Sequence, residues 1–261
     1  MARYDFSTRR LFVDAPLTAG ARVGLNRDQS NYLSNVLRLE AGAGLLVFNG
    51  RDGEWRARLA LAGKRDIALE LETRERPQTA ACDLRLLFAP LKHARLDYMI
   101  QKAVEMGAGK LSPVLTRRTQ VHKLNLDRVR ANAIEAAEQC GILTLPDIDE
   151  PAPLDRVLMD LPEERLLVFC DEDAPVADPL IALGRAIRED RVPSISVLIG
   201  PEGGFDPAER DMLLALPGAL PISLGPRILR ADTAAVAALA VVQAALGDWR
   251  GSMGDAPPQH G

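Results

Sequence analysis

Two hydrophobic periodicities divide this chain near Pro77. Before it, Gly44-Leu45-Leu46-Val47-Phe48 runs into the turn-forming Asn49-Gly50-Arg51-Asp52-Gly53, and Glu54-Trp55-Arg56-Ala57-Arg58-Leu59 then alternates with a period of two. Strands separated by such turns predict a small β-rich unit over residues 1–76. Ser30 to Arg38 is the exception, a short helix with Leu33, Val36 and Leu37 on one face.

Beyond Pro77, short apolar runs alternate with segments of helical period. Leu84 to Phe88 reads as a buried strand, and Arg95 to Met106 as a helix stopped by Gly107. Leu111 to Leu115 is a strand, Leu126 to Cys140 a helix closed by Gly141, Leu166 to Cys170 a strand, and Ala177 to Arg188 a helix. Ser194 to Ile199 is the next strand. Asp206-Pro207-Ala208-Glu209 then supplies an N-cap, a proline at N1 and a capping glutamate at N3. Pro221 to Leu224 is a short strand, and Ala231 to Leu246 an alanine-rich helix ended by Gly247. Such alternation predicts an α/β domain over 77–250, built on a mainly parallel sheet with helices on its faces. The tail, 251–261, reads as disordered.

Composition narrows the function. No run approaches the roughly 18 apolar residues of a membrane span, and the charged start after Met1 does not resemble a secretion signal, so the chain is expected to be cytoplasmic. Cys82, Cys140 and Cys170 lie far apart with only three histidines in the chain, so no metal site is expected, and the cysteines read as small core residues. The net charge of −4 hides a segregation. Met1 to Arg130 holds 23 Lys and Arg against 14 Asp and Glu, whereas the remainder is strongly acidic. A basic first half suits a polyanion such as nucleic acid, although any single cation there equally suits a solvated face.

Ligands of open α/β sheets collect beyond the carboxyl ends of strands. Two such loops stand out. Ile199-Gly200-Pro201-Glu202-Gly203-Gly204-Phe205 lets backbone groups approach a ligand, although an ordinary glycine-rich turn has the same composition. It lacks the Gly-Lys-Ser/Thr of a phosphate-binding loop and the spacing of the dinucleotide fingerprint, which disfavours a nucleotide triphosphatase. Leu224-Gly225-Pro226-Arg227-Ile228-Leu229-Arg230-Ala231-Asp232-Thr233-Ala234 also joins a strand to a helix, with arginines beside apolar residues.

These two loops, in this order, together with Asn35-Val36-Leu37-Arg38-Leu39, Pro90-Leu91-Lys92, Gln101-Lys102-Ala103-Val104-Glu105-Met106-Gly107 and Glu138-Gln139-Cys140-Gly141, resemble the SPOUT-class methyltransferases that modify N3 of a uridine in 16S ribosomal RNA. The resemblance covers nearly the whole chain. It implies a small N-terminal PUA-like β-barrel for RNA binding, a SPOUT α/β domain with a C-terminal trefoil knot, and a homodimer. The substrate it implies is 16S rRNA or the small ribosomal subunit. The chain departs from the family pattern at Ile142, where an arginine is typical, at Asp232, where a glutamate is, and at Tyr32, where a histidine is common.

The resemblance also places S-adenosyl-L-methionine. Its cofactor-binding residues would be Phe169 and Cys170 at one strand end, Ile199, Gly200, Pro201, Glu202, Gly203 and Gly204 in the first loop, and Leu224, Gly225, Ile228, Leu229, Thr233 and Ala234 in the second. Glu202 reads either as a ligand contact or as an anchor of its turn. Uracil N3 carries a proton and is a poor nucleophile until that proton leaves, so the site must favour the anionic base. Arg230 is the candidate catalytic cation; Asp232 reads as a base or, more simply, as the N-cap of the last helix. Candidate RNA contacts are Arg9, Arg10, Arg38, Lys92, Lys102, Arg117 and Arg118. A methyltransferase of the same architecture acting on ribose or another RNA position, and a non-catalytic ribosome-assembly factor, remain as alternatives.

Overall fold

The computed structural model describes residues 7–61, 67–176, 178–186 and 194–250, so the expected tail at 251–261 and the last residues of the helix expected to Arg188 lie outside the described residues. The chain forms two compact units, one of Met1–Ala81 with Ile134–Leu145, the other of Cys82–Ala133 with Pro146–Gly261.

In the first unit, β1 (Arg10–Phe12), β2 (Arg22–Gly24), β3 (Gly44–Phe48), β4 (Glu54–Leu61) and β5 (Ile67–Arg76) make one sheet in the order β1-β3-β4-β5-β2. The alternation in β3 and β4 places Leu45, Val47, Ala57 and Leu59 in a core shared with Leu11, Val23, Leu33, Leu69 and Leu71. The expected single helix is two turns of different pitch. A capping box of Asn26 and Gln29 starts α1 (Arg27–Asn31), and a π-helical turn, Tyr32–Val36, follows. The wider turn rotates Val36 off the buried face, leaving it 62% exposed while Leu33 is buried. Val36 is therefore not the core residue that a uniform helical period predicts.

The second unit carries β6 (Leu84–Phe88), α2 (His93–Glu105), β7 (Lys110–Leu115), α3 (Leu126–Cys140), β8 (Asp147–Ile148), β9 (Ala152–Pro153), α4 (Leu154–Met159) and β10 (Leu166–Cys170). After these come α5 (Pro179–Gly184), β11 (Ile195–Ile199), α6 (Pro207–Leu214), β12 (Ala219–Ile222) and α7 (Ala231–Leu246). The C-terminal part of α3 belongs to the first unit. Six strands run parallel in the order β12-β10-β11-β6-β7-β8. Leu87, Leu198 and Phe169 pack on Leu154, Leu158 and Leu213 of α4 and α6, while α7 packs on α2, α5 and β11. Both faces are covered, which is why these strands read as unbroken apolar runs. Helix ends follow their local signals. The Asp206/Glu209 capping box forms as expected, Gly107 and Gly141 adopt φ of +82° and +65°, and α3 and α7 keep their expected bounds.

Two expectations need correction. The cysteines are not all core: Cys140 is exposed and Cys82 only partly covered, whereas the Cys170 thiol is buried. Asp232 is not an N-cap, because Arg230 occupies that place and Asp232 sits inside the first turn of α7.

Glu138, in the Glu-Gln-Cys-Gly segment, is also an anchor: its Oε1 accepts the Phe12 N–H at 2.8 Å. Burial pushes its carboxyl up to about 7, aided by the nearby Glu135 and opposed by the Phe12 hydrogen bond. The unfolded carboxyl ionises near 4.5, so between 4.5 and about 7 the native state binds the extra proton and stability falls as pH rises. Glu138→Gln keeps an acceptor for Phe12 without the charge. We expect it to flatten the slope of the unfolding midpoint across that window and to raise the midpoint above neutral pH. An unchanged slope would assign the proton uptake to another group.

Candidate cofactor and RNA site

The carboxyl ends of β12, β10 and β11 lie side by side in the parallel sheet, so the segments that leave them share one edge. At the β10 end, Arg210 of α6 grips the Asp171 carboxylate through Nε and Nη2, the latter at 2.9 Å. Glu209 is 5% exposed and accepts the Asp206 N–H at 3.0 Å and the Arg117 N–H at 2.8 Å, tying the loop after β7 to the start of α6. These ties surround the first glycine-rich loop with fixed structure.

Glycine is needed there for two physical reasons. A Cβ on Gly200 would stand 3.0 Å from the Phe205 ring, which itself packs edge-on against Phe169 with centroids 6.3 Å apart. Gly204 has φ of +69°, in the left-handed region. Gly203 differs, since its Cβ would make ordinary contact with Arg118. Arg118 Nη1 donates to the Gly203 carbonyl at 2.7 Å, so this expected RNA contact also braces the cofactor loop. A narrow cleft beside it is lined by Leu91, Lys92, Arg118, Gln120, Pro201 and Glu202.

In the second loop, Gly225 takes φ of +96° and its N–H meets Ser223 Oγ at 3.3 Å. Among the described residues, the N–H groups of Arg227, Ile228 and Leu229 find no acceptor. Ile228 is 85% exposed. Unpaired amides beside uncovered apolar surface suit a ligand with a hydrogen-bonding aromatic ring.

The expected cofactor residues are thus gathered on three adjacent segments, with unequal side-chain roles. Phe169 and Ile199 are buried and can offer only backbone, as can Gly200, Gly203, Gly204 and Gly225. Pro201 and Ala234 are buried, Leu224 and Leu229 half-buried, and Thr233 exposed. Burial pushes the Cys170 thiol up to about 12, so it is no nucleophile at neutral pH. Arg230 is exposed at the N-cap of α7, with no acceptor for its guanidinium among the described residues. Glu202 is paired to Arg95, as is Asp232 at 3.5 Å. The sequence reading missed Arg95, because a lone arginine in a first helical turn has the appearance of a solvated surface residue.

Of the expected RNA contacts, Arg9, Arg38, Lys92, Arg117 and Arg118 are exposed. Arg38 holds φ of +53°, rare for a side chain of its size. Lys102 lies at 2.6 Å from Glu105 and over the Tyr98 ring. Arg10 is a correction: its side chain is 4% exposed and its Nε donates to Glu54 at 2.8 Å, so it cannot reach a phosphate.

A model described as RNA methyltransferase domain matches residues 78–243, and one described as RNA methyltransferase PUA domain matches 25–72. Ribosomal RNA small subunit methyltransferase E of Rickettsia conorii is 30% identical, over 90% of this chain and 94% of its own length. The protein of the same name from Synechocystis sp. is 34% identical, over 91% of this chain and 78% of its own. Among solved structures, ribosomal RNA small subunit methyltransferase E of Neisseria gonorrhoeae, bound to S-adenosyl methionine, superposes with a TM-score of 0.79 at 26% identity, covering 90% of this chain and 97% of that one. A Legionella pneumophila methyltransferase in complex with the same cofactor gives 0.74 at 29% identity, covering 91% and 98%.

Proposed function

Because the chain belongs to the RNA methyltransferase family whose domain model spans residues 78–243, we propose that it methylates N3 of a uridine in small-subunit (16S) ribosomal RNA with S-adenosyl-L-methionine as donor. The observation that carries this reading is the second loop. Its unpaired amides and exposed Ile228 stand at the carboxyl end of the sheet, beside a glycine loop that a Cβ would clash with or strain. The bound cofactor supplies an electrophilic methyl group on a sulfonium. The protein's part is to hold it: backbone groups of 200–204 and 225–229 read the polar edges, while Leu224, Ile228 and Leu229 cover the apolar faces. Arg230 places a positive charge where uracil N3 loses its proton. No histidine or metal is required by this scheme.

The reading extends to the fold and to the assembly. Residues 1–76 form the PUA-like RNA-binding part, which packs with 134–145 in the first unit, and 77–250 carry the cofactor-binding part, with the chain threaded through a trefoil knot. The enzyme acts in the cytoplasm as a homodimer, with Arg9, Arg38, Lys92, Lys102, Arg117 and Arg118 meeting phosphates. Among the described residues no helix is long and apolar enough to cross a membrane.

The deciding experiment incubates purified protein with labelled S-adenosylmethionine and small subunits that lack base methylation, then resolves the nucleosides. Labelled 3-methyluridine is the expected product. Label in a position resistant to alkaline cleavage would indicate ribose methylation instead, and RNA retention without any label would leave a binding factor on a methyltransferase scaffold.

A further inference from the structure

Arg95 lies in the first turn of α2 with its side chain 30% exposed, and its guanidinium meets two carboxylates from separate parts of the site. It pairs with Glu202 in the loop after β11 and, through Nε at 3.5 Å, with Asp232 in the first turn of α7. Asp232 is well covered, with a side chain 15% exposed, and its Oδ1 also accepts the Thr233 N–H at 3.0 Å. A planar guanidinium can offer two edges to two carboxylates at once, which an ammonium on a flexible stem cannot do in fixed geometry.

We infer that Arg95 is a positioning residue, which by holding Glu202 and Asp232 together sets the first glycine-rich loop in register with the helix turn that presents Arg230, Thr233 and Ala234. No other ion pair among the described residues joins these two segments. Partly exposed pairs add little to global stability, so the bridge acts on geometry. Geometry is where a transferase is sensitive, since an ångström of misplacement at reacting groups costs on the order of a hundredfold in rate. The inference rests on the methyltransferase reading for its catalytic consequence, but not for the physical coupling of the two segments.

The test compares Arg95→Ala and Arg95→Lys with the unaltered protein in two ways. Amide hydrogen exchange is followed at 200–205 and 231–235 in the cofactor-free protein, and methyl transfer is measured at saturating cofactor and RNA. Arg95→Ala is expected to speed exchange in both segments about tenfold, and to lower kcat at least tenfold with the RNA KM and the unfolding midpoint nearly unchanged. Arg95→Lys, which can serve one carboxylate at a time, should fall between and confirms that folding is intact. Unchanged exchange in either segment, or a kcat within twofold of the unaltered protein, overturns the inference. If the unaltered protein itself transfers no methyl group, the enzymatic reading falls, and the exchange result alone decides the role of Arg95.

Discussion

Replacing Arg230 by Gln is expected to lower single-turnover methyl transfer about 10²- to 10³-fold at saturating cofactor and RNA, with cofactor affinity within about threefold. The size follows from what removal of one preorganised donor to a developing anion costs in other acyl- and group-transfer sites. Uracil N3 becomes a nucleophile as its proton leaves, and a fixed positive charge nearby stabilises that state more than the neutral base. On the proposed reading Arg230 supplies this charge: its backbone is fixed as the N-cap of α7 by the Ala234 N–H at 2.7 Å, and its guanidinium has no acceptor among the described residues. The rate of the variant should also keep rising at pH values where the unaltered enzyme has levelled off, because the base then ionises without help. Lys at this position keeps the charge but not the fork, and should recover part of the loss. Equal losses in cofactor binding and rate would make Arg230 a binding residue and remove it from the chemistry.

Glu54→Gln is expected to destabilise the first unit by about 3–5 kcal/mol, read as a lower urea midpoint with an unchanged slope. Glu54 has a side chain 3% exposed and receives Arg10 Nε at 2.8 Å, Arg76 Nε at 2.7 Å and Arg76 Nη2 at 2.9 Å. Arg76 also donates to the Gly141 carbonyl at 2.8 Å. Neutralising the carboxylate removes the negative charge that both guanidinium groups meet where water reaches them poorly, and that lost pairing is the dominant cost. The double variant Glu54→Gln with Arg10→Met removes one of the two buried cations as well and should recover a sizeable part of the loss. A midpoint shift worth less than about 1 kcal/mol would mean that water screens the cluster as it does a surface pair.

The contrast between these residues and the helix ends shows what could be read before any fold was known. The bounds of α3 and α7 and the capping box of α6 followed from signals within a few residues: glycine past a helix end, proline at N1, a glutamate three residues after the cap. The short strands β1, β2, β8 and β9 carried no such signal, because two or three residues hold no period and form only where a neighbouring strand offers hydrogen bonds. Helix α4 was missed likewise, since six residues after Pro153 are too few to show a face. The π-helical turn at Tyr32–Val36 misled in the other direction: a single inserted residue changes which side chains are buried without altering the composition.

Sequence alone was therefore enough for the α/β class, for the two loops at the carboxyl edge and for the family whose motifs they carry, because each of these is written in contiguous residues. Tertiary structure decided what each charged side chain is for. Arg10 and Arg118 look alike in the chain, yet one is sealed against Glu54 and the other braces Gly203 at the surface. Arg95 meets partners more than 100 positions away, in Glu202 and Asp232. Hydrophobic period tells which face of an element is buried, but the partner of a charge depends on which distant elements the sheet order brings beside it, and no local pattern encodes that.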